Sequence, residues 1–250
     1  MNLALIRLEL RRARRNRRTL IFAALLPVLF FLAFSAGHQT SKLGGLQVAP
    51  YIMVSMATYG AMNALFTGGG IIAGERSIGW PRQLRVAGLG NRDYIVAKVI
   101  VSYLTALPGV VLVFLAGSLI KNIHLSAGVW IGTGIAVLVA LLPIAALGVA
   151  IGYMARPQAL QAVFGVGSAL LALFGGLWYP ADAFPTAMQD VMKVLPTYWA
   201  ADAGRRVVLG SGWPGVEGVA ILAAWTVALG ALAAYLFRRD SLRPSAAGST

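Results

Sequence analysis

Apolar residues run in six long stretches along this chain, and polar residues gather in the segments between them. The stretches are Thr19 to Ala36, Ala49 to Gly74, Tyr94 to Ile120, Ala127 to Tyr153, Ala159 to Trp178 and Gly218 to Phe237. A helix rises about 1.5 Å per residue and the hydrocarbon core of a bilayer is about 30 Å thick, so each stretch reads as a spanning helix. The pattern predicts an all-α integral membrane protein with a single transmembrane domain over 1–250. Within it, 1–18 reads as an interfacial helix, 19–237 as a six-span bundle and 238–250 as a tail. Pro27, Pro108 and Pro143 fall inside predicted spans, where neighbouring helices make the resulting kinks tolerable. Small residues recur at four-residue spacing in Gly60, Ala64 and Gly68, in Gly128 and Gly132, and in Gly148 and Gly152. Such spacing lets helix backbones approach closely; packing within one chain is the simpler reading, a seam between two chains the alternative.

Three polar segments stand out. In the first eighteen residues Leu3, Ile6, Leu10 and Ala13 follow one helical face while Arg7, Arg11, Arg14 and Arg18 follow another, the pattern of a helix lying in the membrane interface. A cleaved signal peptide is the competing reading, but the following apolar run is long and lacks a clear small-x-small site. The segment from Glu75 to Asp93 holds four arginines and two acids, with Ile78, Leu84, Val86 and Leu89 interleaved. It fits a short helix across the mouth of the bundle that docks a partner, and equally a basic loop on lipid headgroups. From Tyr179 to Glu217, Phe184, Met188, Val191, Met192 and Leu195 share a helical face that Pro196 stops, and a second short helix fits Thr197 to Leu209. These helices suit an ordinary outer loop or a segment dipping back into the outer leaflet.

Charge then orients the chain. Sixteen of 21 Lys and Arg and four of eight acids lie at the termini, in Glu75 to Lys98 and at Arg156, a net +12; the other side, with Lys42, Lys121, Lys193, Arg205 and Arg206, nets +1. By the positive-inside rule both termini are cytoplasmic. The chain is 58% hydrophobic and only 12% charged, against roughly 25% charged in soluble domains, so its basicity flanks apolar segments and implies no nucleic acid.

Catalytic chemistry is scarce. No cysteine is present, which removes disulfides, thiolate catalysis and cysteine metal clusters. His38 and His124 have no metal-like spacing to a carboxylate. There is no Gly-x-x-x-x-Gly-Lys-[Ser/Thr] phosphate loop, nucleophile elbow or His-Glu-x-x-His pair. Within the spans Lys98 is the main ionisable residue, which disfavours an ion-coupled carrier. Energy for pumping would have to arrive from another polypeptide. Tyr59, Asn63, Phe66 and Gly70 on the second span, and Gln161, Ser168 and Phe174 on the fifth, are candidate pathway residues for a greasy or amphipathic substrate; interhelical packing is the simpler explanation of each.

Glu75-Arg76, Gly79, Leu84, Tyr94 and Lys98, together with Gly176, Tyr179-Pro180, Phe184-Pro185 and Leu195-Pro196, resemble in order and spacing the membrane (permease) subunits of type-2 ATP-binding-cassette exporters, over nearly the whole chain. The resemblance implies a half-transporter that pairs with a second membrane subunit, as a homo- or heterodimer, in a bacterial plasma membrane. Two separate nucleotide-binding subunits would bind ATP and Mg, and this chain would hold no cofactor and no metal. It implies re-entrant outer helices between the fifth and sixth spans. It also implies a coupling helix, with Glu75, Arg76, Gly79, Arg82, Leu84 and Arg85 as ATPase-coupling residues and Arg156 at a second intracellular contact. Trp80-Pro81 departs from a Thr-Glu-like pair common in relatives. The expected function is that of an exporter permease for drug-like, lipid-like or peptide substrates, without catalytic residues; the alternative is an integral-membrane enzyme or assembly scaffold using the long outer segment.

Overall fold

The computed structural model describes residues 3–15, 17–36, 42–43, 45–155 and 157–241. Helix dominates it because apolar, helix-forming residues run uninterrupted between breakers. In chain order the helices are α1 (Leu3–Arg15), α2 (Arg17–Phe34), α3 (Val48–Ser77), α4 (Trp80–Val86), α5 (Asn91–Leu119), α6 (Ala127–Ala140), α7 (Leu142–Met154), α8 (Leu160–Phe174), α9 (Thr186–Val194), α10 (Pro196–Val208) and α11 (Val216–Ser241). One element departs from the all-helical expectation: strands β1 (Lys42–Leu43) and β2 (Leu46–Gln47) pair antiparallel just before α3.

Among the described residues, three segments are long and apolar enough to cross a membrane: Arg92–Leu119, Ala127–Met154 and Val216–Asp240. The second is α6 and α7 in sequence, interrupted at Leu141 where Pro143, in the first turn of α7, cannot continue the hydrogen-bond ladder. Helix α3 has 30 residues, about 45 Å of rise, but its Gly, Ser, Thr and Asn residues dilute its hydropathy. It can carry them because it is the central helix, packed against α2, α5, α7, α8 and α10, so protein and not lipid surrounds most of it. Helix α8 has 15 residues, about 23 Å, shorter than the apolar stretch from Ala159 to Trp178. Gly176 ends it at φ +67°: its N–H donates to Leu173 O and that of Leu177 to Ala172 O, the double bond of a Schellman cap.

The approach of α3 to α7 depends on glycine. A Cβ at Gly69 would stand 2.1 Å from Gly148 O, and one at Gly152 would stand 2.6 Å from Gly69 O. The Gly148 and Gly152 pair therefore serves packing within one chain.

The main apolar core gathers around α3 and includes Phe31, Met53, Met62, Val113, Leu141 and Ile144. A second cluster, at the end of the bundle that carries α1, joins Leu5, Ile72, Leu84, Tyr94, Val149 and Tyr153. On α1 the buried positions are Leu5 and Glu9, while Ile6, Leu10 and Ala13 are half-buried and Leu3 is exposed. The face toward the bundle is therefore rotated from the stripe of Leu3, Ile6, Leu10 and Ala13. Arg18 has a side chain outside the described residues, and helix α11 continues through the first residues of the expected tail.

Candidate functional site

The densest set of charged side chains lies where α1, α3, α4 and α5 meet. Glu75, in the last turn of α3, accepts from Tyr94 Oη at 2.7 Å and from Lys98 Nζ at 2.7 Å. Lys98 also donates to Glu9 Oε2 of α1 at 2.6 Å. Arg12 Nη1 lies 3.6 Å from Glu75 Oε1 and 3.8 Å from Glu9 Oε1, and its guanidinium sits 4.3 Å from the Trp80 ring centroid at the start of α4. Lys98 and Glu9 are each at least 95% removed from water. The buried Lys98 and Glu9 are thus paired with each other and with the partly buried Glu75, while the exposed Arg12 covers the two carboxylates from the solvent side, so the buried charges are compensated.

Arg76, the next residue of α3, points to the opposite side. It pairs with Asp240 of α11, with Nε to Oδ2 at 3.1 Å, and its Nη1 donates to Gly152 O at 2.9 Å and Tyr153 O at 3.0 Å. Those carbonyls close the last turn of α7, where a cation also suits the helix dipole. Glu75 and Arg76 therefore connect the end of the central helix to α1 and α5 on one side and to α7 and α11 on the other.

Between these anchors the chain turns through Gly79 at φ +73° and enters α4 with Pro81 in its first turn, a position proline suits because the N–H it lacks would be unpaired there. The departure at Trp80-Pro81 thus leaves a regular helix start. Leu84 is buried in the second cluster, while Arg82 and Arg85 are exposed, as are Ile78 and Val86. Helix α4 is anchored by Leu84 and by Trp80, which packs against the same cluster, and presents Arg82, Arg85 and Val86 outward. Arg156 lies outside the described residues.

The pathway candidates lie elsewhere. Tyr59 is buried against Trp178, with ring centroids 5.4 Å apart, and against Phe30 at 6.3 Å. Phe66 stacks on Phe164 at 5.5 Å. Asn63 donates to Tyr59 O and Ser168 to Gly165 O, so both satisfy themselves on their own helices. Phe174 is half-buried at the end of α8, and the side chain of Gln161 is outside the described residues. Aromatic contacts join Tyr59 to α2 and Phe66 to α8, and this face is closed by them.

Arg205, counted among the five cations of the outer side, lies on the second short helix expected there and is turned inward. It is buried on α10, donates to Ser55 Oγ at 2.8 Å and Gly176 O at 2.7 Å, and lies 3.8 Å from the Tyr51 ring centroid. Helix α10 packs against α6 and α3, which puts this arginine into the bundle. The sequence reading also passed over Glu9 and Asp240. Glu9 is the one acid of α1 and Asp240 the one acid near the C-terminal arginines, and that isolation was the available signal.

The described residues contain no group of three or more His, Asp or Glu that could hold a metal ion. The sequence profile of the ABC-2 family transporter proteins matches residues 38–235. The chain is also 28% identical over 233 residues to a Bacillus subtilis (strain 168) protein named "Putative transport permease YvfS", covering 93% of this chain and 95% of that protein.

Proposed function

Since the chain belongs to the ABC-2 transporter family, an integral membrane family, we propose that it is the permease subunit of an ATP-driven exporter and that α4 is the helix through which separate ATPase subunits act on it. The observation that carries this reading is the mounting of α4. Its outer surface offers Arg82, Arg85 and Val86, with Ile78 exposed just before the turn into it, while its inner side is held by Leu84 and by the Arg12 contact to Trp80. Immediately before it, Glu75 and Arg76 grip four other helices. A push on α4 is therefore delivered to the end of the central helix, as a coupling element requires when nucleotide binding selects between two bundle arrangements.

In this reading six segments cross the membrane with both termini cytoplasmic, α8 being the fifth, α9 and α10 form a re-entrant outer unit between the fifth and sixth, and two such subunits pair over two ATPases. ATP and Mg are bound by those partners. Tyr59, Phe66, Ser168 and Phe174 become pathway residues when the aromatic contacts between α2, α3 and α8 open. Their apolar character suits drug-like, lipid-like or peptide substrates.

The test is co-purification. The chain alone should hydrolyse no ATP, and co-expression with its cognate ATPase should give a stable complex that does. Hydrolysis by the isolated chain, or failure of both well-folded proteins to associate, would contradict the proposal.

A further inference from the structure

At the start of the central helix, the end opposite α4, a cavity of about 630 Å³ opens between the end of α2, the turn and second strand of the hairpin, the segment that leaves α5, and the end of α10. Such a volume suits a small organic molecule rather than a bare ion. Its polar wall is formed by Ser35, Gln47, Lys121, Asn122 and His124, while Leu46, Pro50 and Val208 belong to its apolar lining. We propose that this cavity binds a phosphate ester, with Lys121 as the principal contact to the phosphate and the apolar wall against the organic part. That the cavity faces the outer side rests on the orientation proposed above; the binding does not.

Three features select that ligand. The first is charge. Residues 10–74 and 94–181 contain no Asp or Glu, and every lining residue of the cavity except Val208 comes from those two stretches. On α10, which supplies Val208, the acid Asp202 is held by Arg206 at 2.6 Å. A cleft lined by one sign of charge concentrates ions of the other. The second feature is an unfilled donor set. Lys121 Nζ donates once, to Ser35 O at 3.1 Å, although an ammonium carries three N–H groups. No carboxylate pairs with it among the described residues. The third is the mounting of the donors. Beyond the end of α5 the chain turns through Asn122 at φ +51°, and Ile123 is buried with its N–H bonded to Gly117 O at 3.0 Å. Lys121, Asn122 and His124 thus sit on a pinned turn. Lysine serves phosphate as a point charge, whereas the planar carboxylate is matched best by the fork of an arginine, and no arginine lines the cavity among the described residues.

The experiment measures binding of radiolabelled glycerol phosphate to the full-length chain in phosphatidylcholine nanodiscs, which expose both faces, at constant ionic strength set by chloride. Saturable binding is expected, competed by inorganic phosphate and not by acetate. Lys121→Gln should weaken it at least about tenfold, as loss of a charged hydrogen bond does. Asn122→Asp keeps a residue suited to the left-handed backbone while placing a negative charge on the wall, and it should weaken binding as much. Lys193→Gln removes a cation from α9, away from the cavity, and should change nothing. Thermal midpoints equal to that of the original chain show that each variant is folded. Phosphatidylglycerol in the discs separates the two sources of the phosphate: competition assigns the cavity to a lipid headgroup, and no competition assigns it to a soluble ester. Absence of saturable binding, equal competition by acetate, or binding that survives both Lys121→Gln and Asn122→Asp would overturn the proposal. None of these readouts involves an ATPase, so the exporter reading is tested separately.

Discussion

Lys98 of α5 and Glu9 of α1 meet at 2.6 Å in a site from which water is excluded. Since Lys98 also holds Glu75, this one ammonium fastens the N-terminal helix to the end of the central helix. Breaking a buried ion pair from one side costs about 3–5 kcal/mol, whereas replacing both partners costs much less. Lys98→Met should therefore lower the thermal midpoint of the purified protein sharply, and Glu9→Gln combined with Lys98→Met should recover part of the loss. Equal destabilisation by the single and double variants would show that the pair is not coupled.

Arg76 makes two kinds of contact, and they separate by substitution. Asp240→Asn removes only a partly exposed charge partner and should cost about 1 kcal/mol or less. Arg76→Ala also strips Gly152 O and Tyr153 O of their donor, a penalty of about 1–3 kcal/mol in addition. Unfolding measurements in detergent should rank Arg76→Ala well below Asp240→Asn.

Glycines in this bundle differ by what stands opposite them. Gly69→Ala drives a Cβ into Gly148 O and must separate α3 from α7, so little folded protein is expected. Gly165→Ala, on α8, meets nothing within 4 Å and should be neutral or stabilising by up to about 1 kcal/mol through helix propensity. Size-exclusion profiles of the two variants check the contrast.

Much of this architecture was legible along the chain, because hydrophobic period and breaker residues are local. Pro196 and Gly210 mark where α9 stops and α10 ends, although Phe184, expected on the face of α9, precedes its first residue Thr186; α4 realises one of the two readings left open for the segment from Glu75 to Asp93. The early end of α8 was not legible: Ala159 to Trp178 stays apolar, and only the positive φ of Gly176 turns the backbone out of the helix. Partner choice was hidden for a different reason. Glu9 with Lys98, Arg76 with Asp240 and Arg205 with Ser55 lie 89, 164 and 150 residues apart, and no periodicity within a helix carries information about them.

Arg205 shows the consequence at the other end of the molecule. Its guanidinium bridges α10 to Ser55 of α3 and to the turn after α8 while stacking on Tyr51. A lysine keeps the charge but not the planar fork or the stacking. Arg205→Lys should therefore destabilise by about 1–3 kcal/mol, the range for buried polar partners left unpaired. Unchanged stability would remove Arg205 as the bond holding the outer helices to α3.

The central claim is that α4 is where ATP-driven force enters the bundle, and its most direct test is ATP hydrolysis by the assembled complex carrying Arg82→Glu with Arg85→Glu. Both side chains are exposed, so the permease itself should fold and melt as before. Complex formation or substrate-stimulated hydrolysis should fall at least about tenfold, equivalent to about 1.4 kcal/mol of lost contact. A correctly folded double variant that assembles and hydrolyses ATP like the original would contradict the assignment.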